Sequence, residues 1–272
     1  MNATSSGTNS IQTDRAQTPP RPQLSTQQPS EPRVTAKAYL VGNISSGYIY
    51  KQFNSQTALP VASMSKLVTA LAATTKFPQN ARITITPEEM NVPPDGSQLA
   101  IGETYTVQEL MYPLLLNSSN VAAEALASSS NRSGFIELMS SYVWEIGMPS
   151  TFFADPSGLN PHNEASARDL FTLAKYLTKY RPDILQLTRT LQATTATTSD
   201  HGSHVFNSTH PLIKEPGFLG GKTGRTLEAG ETMLTIMKIN DQPIAYIILG
   251  SEYGARERDT RLLIQQTRAL VR

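Results

Sequence analysis

The 272-residue sequence contains no cysteine, which excludes disulfide scaffolds, zinc–thiolate sites and cysteine nucleophiles together. It also lacks an excess of one charge, since 23 basic and 22 acidic residues leave a formal net charge of +1. Proteins that bind nucleic acids or anionic membranes usually carry a basic patch, so we expect no nucleic-acid partner. No His-Glu-x-x-His motif is present, and metal-dependent hydrolysis therefore has no support.

Long apolar runs are missing as well. No segment approaches the roughly 18 apolar residues of a membrane-spanning helix, and the N-terminus has neither the basic nor the apolar region of an export signal. Residues 1–34 are instead rich in Ser, Thr, Gln and Pro. Such a segment cannot offset the entropy cost of ordering its chain, so we predict a disordered tail or linker, or a trimmed or engineered leader. Membrane attachment stays open.

Residues 35–272 have the patterns of a single folded domain. AYLVGNISSGYIYKQF predicts a β-hairpin, and the stretch from about 70 to 190 is mainly helical, with a capping box at Thr106 and Glu109. Three strands and a helix from about Arg256 close the chain. The early and late strands are therefore predicted to form one antiparallel sheet, flanked by helices and interrupted by a helical subdomain. This is an α/β fold of the α+β type.

The stretch VASMSKLVTA places Ser63 and Lys66 three positions apart at the start of a helix. Positions i and i+3 are neighbours on a helix, so the lysine could take the proton of the serine hydroxyl. That role requires a lysine pKa lowered by burial or by a positive environment, such as a helix N-terminus. The alternative is a helix cap with a solvated lysine, because one Ser-x-x-Lys is expected by chance in a chain of this composition.

Two further motifs lie downstream. Ser118-x-Asn120 falls in a polar break between two helices, where a hydroxyl could relay a proton and an amide could orient a substrate carbonyl. Lys222, Thr223 and Gly224 lie on a predicted strand between glycines, where they could hold a carboxylate. Alone, each fits helix capping or a glycine-rich strand end. Together and in this order, the three motifs match the signature of penicillin-binding proteins and β-lactamases.

Over about residues 36–263 the sequence resembles the serine D-alanyl-D-alanine peptidases, the low-molecular-mass penicillin-binding proteins of peptidase family S11. Blocks outside the three motifs carry the resemblance too, among them FADPSGLN, FNSTHPLI and GETYTVQELMYPLLLNSSNVAAEALA. It implies a β-lactamase/DD-peptidase-like fold and identifies 35–272 as the catalytic domain. It also implies a peptidoglycan stem-peptide substrate, β-lactams as covalent inhibitors, no cofactor or metal, and an extracytoplasmic location in the periplasm or cell-wall space.

The resemblance assigns roles to the motif residues. Ser63 would be the acylated nucleophile, Lys66 its base and Ser118 the proton relay toward the leaving amine. Asn120 would position the substrate amide, and Lys222 with Thr223 and Gly224 would bind the terminal carboxylate.

Two arginines complete the implied site. The backbone amides of Ser63 and Arg225 would form the oxyanion hole, and Arg256 would help to hold the carboxylate. Arg225 departs from the family pattern, in which His, Phe or Thr is commoner after Lys-Thr-Gly, so a basic side chain would line the cleft. The compact size is similar to that of members that include DD-endopeptidases.

Three other functions compete with a DD-peptidase. A β-lactamase shares the acylation chemistry, but DPSGLN has no Glu before Leu159-Asn160, and Glu164 is out of register. A catalytically silent homologue that binds peptidoglycan or a partner is the second. Ser-His-Asp hydrolysis is the third, and it lacks a Gly-x-Ser-x-Gly elbow. His201 and His204 lie in a Gly/Ser-rich loop and could bind a metal, although solvated loop residues are the commoner explanation.

Overall fold

The computed structural model describes residues 1–3 and 33–271. The segment predicted to be a tail, 1–34, thus lies almost entirely outside the described residues, and its nature stays a prediction. The folded unit begins at Arg33.

A five-stranded antiparallel sheet forms the centre of this unit, in the order β2-β1-β11-β10-β9. The first and last strands of the chain meet in it, as predicted. Three two-stranded sheets pair β3 with β6, β4 with β5 and β7 with β8. The strands are β1 Ala38–Asn43, β2 Ile49–Phe53, β3 Leu59–Pro60, β4 Arg82–Thr84, β5 Thr104–Thr106, β6 Glu164–Ala165, β7 Gln192–Thr194, β8 Val205–Asn207, β9 Phe218–Thr226, β10 Gly230–Ile239 and β11 Gln242–Ser251.

Seven α-helices are described, six of them between β3 and β7. They are α1 Lys66–Lys76, α2 Val107–Tyr112, α3 Asn120–Ser128, α4 Arg132–Ile146, α5 Ala167–Tyr180, α6 Pro182–Thr188 and α7 Arg256–Arg268. A 3-10 turn, Ala62–Ser65, precedes α1, and a π-helical turn, Pro113–Asn117, follows α2. The capping box at Thr106 and Glu109 is present, with both reciprocal bonds made. The fold is therefore the predicted α+β arrangement.

The two faces of the sheet bury separate cores, because successive side chains of a strand point to opposite sides. On β11, Ala245, Ile247 and Leu249 belong to the large core shared with the helical subdomain. Ile244 and Ile248 belong to a second core, which Leu263 of α7 helps to fill. A slip of one residue would exchange the two sets, so the register is strongly specified. This sheet holds β9 beside the start of α1.

Candidate active site

Ser63 lies in the 3-10 turn that leads into α1 and is partly buried. The residue before it, Ala62, has a φ of 49°, in the left-handed region that costs an L-residue about 1–2 kcal/mol. Ala62 is itself buried, with 2 % of its surface exposed. The Lys66 side chain, one turn further on, donates to the Ser63 hydroxyl oxygen over 2.8 Å. The predicted serine–lysine pair is thus formed.

Lys66 is fully buried and is not the solvated helix lysine of the alternative interpretation. Its ammonium also donates to Asn120 Oδ1 over 2.9 Å and to the Ser157 carbonyl over 2.5 Å. Burial lowers the pKa of Lys66 to about 7, against the attraction of nearby carboxylates, which raises it. An amine with this pKa is substantially neutral near pH 7 and can accept the hydroxyl proton of Ser63.

Ser118 is presented by an irregular helix end. Pro113 opens the π-helical turn after α2, and Ser118 follows with φ 64° and ψ 36°, a left-handed conformation. Its hydroxyl oxygen accepts from Lys222 Nζ over 2.7 Å. Two residues later Asn120 begins α3 and contacts Lys66. The short segment Ser118–Asn120 therefore touches both lysines.

Lys222 lies on β9 with 1 % of its surface exposed. Besides Ser118 it donates to the Thr223 carbonyl over 2.8 Å. Its pKa is held well below the usual value, first by burial and then by repulsion from Lys66 and Arg256. An anion bound beside Lys222 would oppose this repulsion and favour the charged form of the lysine.

β9 runs directly beside Ser63. A β-carbon at Gly224 would lie 2.9 Å from the Ser63 amide nitrogen and 2.8 Å from the Val61 carbonyl, so only glycine fits there without displacement. Arg256, at the start of α7, donates to the Gly224 carbonyl over 3.2 Å. The structure thus brings the Lys-Thr-Gly strand, Arg256 and Ser63 together.

The side chains of Thr223 and Arg225 contact two residues outside the three motifs, Thr209 and Tyr253. Thr223 Oγ1 lies 3.1 Å from the hydroxyl oxygen of Thr209. Arg225 is exposed, and its guanidinium lies 5.1 Å from the ring centroid of Tyr253, whose hydroxyl oxygen accepts from it over 3.2 Å. Burial lowers the pKa of Arg256, and repulsion from Arg225 lowers it further.

The carbonyl group that accepts from Lys66 belongs to Ser157, in the turn that follows Phe153. The Asp155 carboxylate accepts from the amides of Ser157 over 2.7 Å, Gly158 over 2.5 Å and Asn160 over 2.5 Å. Gly158 has a φ of 86°, and a β-carbon there would lie 2.1 Å from the Ala62 carbonyl oxygen. Lys66 therefore meets a backbone carbonyl from the turn DPSGLN, which contains no glutamate. The backbone of Glu164 is paired with Phe152 and Pro60.

The explanation of His201 and His204 as solvated loop residues is wrong. His201 is buried, stacks on Tyr105 at a centroid distance of 4.3 Å and lies 3.4 Å from Glu109 Oε1. His204 Nε2 lies 2.9 Å from Glu103 Oε1. The two pairs connect the β7–β8 loop to the residue before β5 and to α2. Among the residues described, no three His, Asp or Glu side chains are grouped as metal ligands.

The fold is that of the DD-peptidases and penicillin-binding proteins. A D-alanyl-D-alanine carboxypeptidase structure from Mycobacterium tuberculosis matches with a TM-score of 0.80 and 22 % identity, covering 89 % of this chain and 93 % of that one.

The family profile described as D-alanyl-D-alanine carboxypeptidase, peptidase S11, matches residues 25–253. A D-alanyl-D-alanine endopeptidase of Haemophilus influenzae is 33 % identical over 210 residues, 75 % of this chain and 70 % of that protein. The D-alanyl-D-alanine carboxypeptidase DacF of Bacillus subtilis is 28 % identical, over 84 % of this chain and 60 % of its own length. The chain belongs to peptidase family S11, as the sequence predicted.

Sequence reasoning missed several residues that build this site. Ser157 contacts Lys66 only through its backbone carbonyl, which leaves no mark on residue type. Thr209 lies in the family-like block FNSTHPLI, and that block could have indicated it. Asp95, in the loop after β4, accepts a hydrogen bond from Ser119. No motif around Asp95 in the sequence indicates this contact.

Proposed function

We propose that the protein is a serine DD-peptidase that forms an acyl-enzyme on Ser63 with D-alanyl-D-alanine-type stem peptides of peptidoglycan. One observation carries the proposal: the buried Lys66 amine lies 2.8 Å from the Ser63 hydroxyl oxygen. A serine hydroxyl is a poor nucleophile until a neighbouring base accepts its proton. Family membership and the names of the relatives support the same class of reaction.

In the acylation step, neutral Lys66 takes the Ser63 proton while the serine oxygen attacks the carbonyl carbon of the scissile bond. The carbonyl oxygen becomes an oxyanion, for which the amides of Ser63 and Arg225 are the proposed donors. Loss of one such donor typically costs about 100- to 1,000-fold in rate. Asn120, already bonded to Lys66, would also orient the substrate amide.

Collapse of this intermediate breaks the carbon–nitrogen bond, and the leaving amine needs a proton. We propose that the proton Lys66 took from Ser63 reaches this amine through the Ser118 hydroxyl, which gives its own proton to the amine and is reprotonated from Lys66. The bond from Lys222 to the Ser118 oxygen supports this role, because it leaves the hydroxyl proton free to point into the site. The terminal carboxylate of the substrate would bind between Lys222, Thr223 and Arg256. Besides burial, two cationic neighbours depress the pKa of Lys222, so an incoming carboxylate compensates a repulsion present in the free site. Water then hydrolyses the acyl-enzyme.

Slow deacylation distinguishes a penicillin-binding peptidase from a β-lactamase. Here Asp155, the acidic side chain of the turn that contacts Lys66, is occupied by the turn's own amides. The hydrogen bonds of this carboxylate are made within the turn, so we do not propose it as the group that activates a hydrolytic water. We therefore expect β-lactams to acylate Ser63 and to be released slowly, as covalent inhibitors.

Carboxypeptidase and endopeptidase activities break the same type of bond and differ in the leaving amine. A carboxypeptidase releases free D-alanine, whereas an endopeptidase releases the neighbouring strand of a cross-link. The experiment is to incubate the protein and its Ser63→Ala variant with a stem pentapeptide, a cross-linked dimer and a chromogenic cephalosporin. Ser63-dependent D-alanine release or dimer cleavage supports the proposal and selects the activity. Rapid cephalosporin turnover without peptide cleavage would identify a β-lactamase, and no reaction in a folded sample would identify a silent homologue.

The substrate class also suggests where the protein acts. Peptidoglycan lies outside the cytoplasmic membrane, so we propose an extracytoplasmic location, in the periplasm or cell-wall space. Over residues 1–3 and 33–271 no helix has the length and apolar content to cross a bilayer. Fractionation of cells that produce the native gene product tests the location, and recovery in the cytoplasmic fraction alone would contradict it.

A further inference from the structure

Asp95 lies in the loop between β4 and β5 and is bonded to the segment that carries the Ser-x-Asn motif. Its Oδ2 accepts from the Ser119 hydroxyl over 2.8 Å, from the Val121 amide over 3.1 Å and from the Asn120 amide. Its Oδ1 accepts from the Ser97 amide over 2.9 Å. One carboxylate from a distant loop thus binds three successive residues at the start of α3.

These bonds fix the position of two groups in the proposed mechanism. Asn120, whose amide is bound to Asp95, places its side-chain oxygen 2.9 Å from Lys66. Ser118, immediately before the anchored residues, has the left-handed backbone that presents its hydroxyl to Lys222. A carboxylate at a helix N-terminus is favoured by the helix dipole and by charge-assisted hydrogen bonds. Asp95 therefore anchors the break between α2 and α3 from outside it.

Asp95 also acts on Lys66 through its charge. Lys66 is surrounded by Asp95 from the β4–β5 loop, Asp155 from the turn after Phe153, Glu124 from α3 and Lys222 from β9. Of the three carboxylates, Asp95 raises the pKa of Lys66 most. Burial raises the pKa of Asp95 itself, but its hydrogen bonds to Ser97, Ser119 and Val121 outweigh burial and lower that pKa below its usual value. Asp95 therefore stays ionised at neutral pH.

We infer that Asp95 is a positioning residue for acylation, which holds the segment of Ser118 and Asn120 in place beside Lys66 and Lys222. The inference rests on the proposed function. It gives a role to a residue outside the three motifs, 24 positions before Ser119 in the sequence.

The test compares Asp95→Asn with Ser119→Ala in acylation by benzylpenicillin, with rate constants measured as a function of pH. Asp95→Asn keeps the size of the side chain and removes the charge. Ser119→Ala keeps the charge but removes one bond to Asp95 and the cap that the Ser119 hydroxyl gives to the Ala122 amide. Circular dichroism and thermal unfolding verify that each variant is folded. Asp95→Ser is a second charge-removing variant in case Asp95→Asn does not fold.

Loss of the Asp95 charge should lower the pKa of Lys66 further, so the acidic limb of the profile should move to lower pH by on the order of half a unit. The plateau rate should fall about tenfold, because the anchored segment loses its charge-assisted bonds. Ser119→Ala should unfold at a lower temperature with its acidic limb at the parental pH. A parental limb and plateau in Asp95→Asn would overturn the inference, whereas a parent protein that is not acylated at all would overturn the proposed function.

Discussion

Two substitutions of Ser118 test the proposed proton relay, because together they distinguish the effect of its hydroxyl from the effect of its backbone conformation. With φ 64° and ψ 36° it occupies a conformation that glycine adopts freely and alanine does not. Ser118→Gly and Ser118→Ala both remove the hydroxyl that accepts from Lys222. Only the alanine variant keeps the left-handed strain, about 1–2 kcal/mol for an L-residue.

Both variants lose a partly buried hydrogen bond, worth about 1 kcal/mol. Relief of strain offsets this loss in Ser118→Gly, so we expect its stability to be close to that of the parent. Ser118→Ala should be less stable than Ser118→Gly by about 1 kcal/mol, or roughly 2–4 °C in Tm for a domain of this size. Removal of a proton relay typically costs about 100- to 10,000-fold, so both should be acylated by benzylpenicillin far more slowly than the parent, and to the same extent.

Stopped-flow or quenched-flow acylation kinetics and thermal unfolding measure the two effects separately. A parental acylation rate in Ser118→Gly would refute the relay. A glycine variant with a rate far above that of the alanine variant would show that the backbone, and not the hydroxyl, matters.

Three further predictions concern pH and the turns around the site. Because neutral Lys66 is the proposed base and its pKa is about 7, the acylation rate should rise with pH and reach half its plateau near pH 7; a midpoint above pH 9 would contradict this assignment. Gly158→Ala would combine left-handed strain with a clash against the Ala62 carbonyl, so we expect a loss of about 2–5 kcal/mol, measured by urea unfolding; parental stability would contradict it. Burial raises the pKa of Glu103, but hydrogen bonds from Tyr105 and His204 outweigh burial and hold that pKa at about 2. The contribution of Glu103 to stability is therefore present above about pH 4.5 and is lost as the pH falls toward 2. Glu103→Gln should remove that part of the acid dependence of unfolding, and an unchanged dependence would contradict it.

The sheet and the motif residues could be predicted because their signals are local in the sequence. Short β-like apolar runs indicated β10 and β11, and the Thr106–Glu109 box indicated the start of α2, all of which the structure confirms. The predicted family is confirmed by the match to residues 25–253. The structure brings Ser63, Lys66 and Asn120 into direct contact, while their catalytic roles stay predictions.

Other features depend on contacts between distant residues and leave no periodic signal. The short helix α6 begins at Pro182, a residue that in the sequence marks only the end of the preceding helix. The Glu103–His204 pair joins residues 101 positions apart, so the Gly/Ser-rich sequence around the histidines indicates only a solvated loop. Asp95 lies in a Pro- and Gly-containing loop, where an exposed turn is the ordinary expectation. Its partners at α3 become visible only in three dimensions.

Acylation of Ser63 is tested most directly by intact-mass measurement of the protein after brief incubation with benzylpenicillin, followed by peptide mapping. Opening of the β-lactam ring expels no leaving group, so we expect one adduct per chain, with the full mass of the antibiotic, on the peptide that contains Ser63. The Ser63→Ala variant should remain unmodified. A folded parent protein without an adduct, or with an adduct on another residue, would contradict the assignment of Ser63 and Lys66 as nucleophile and base.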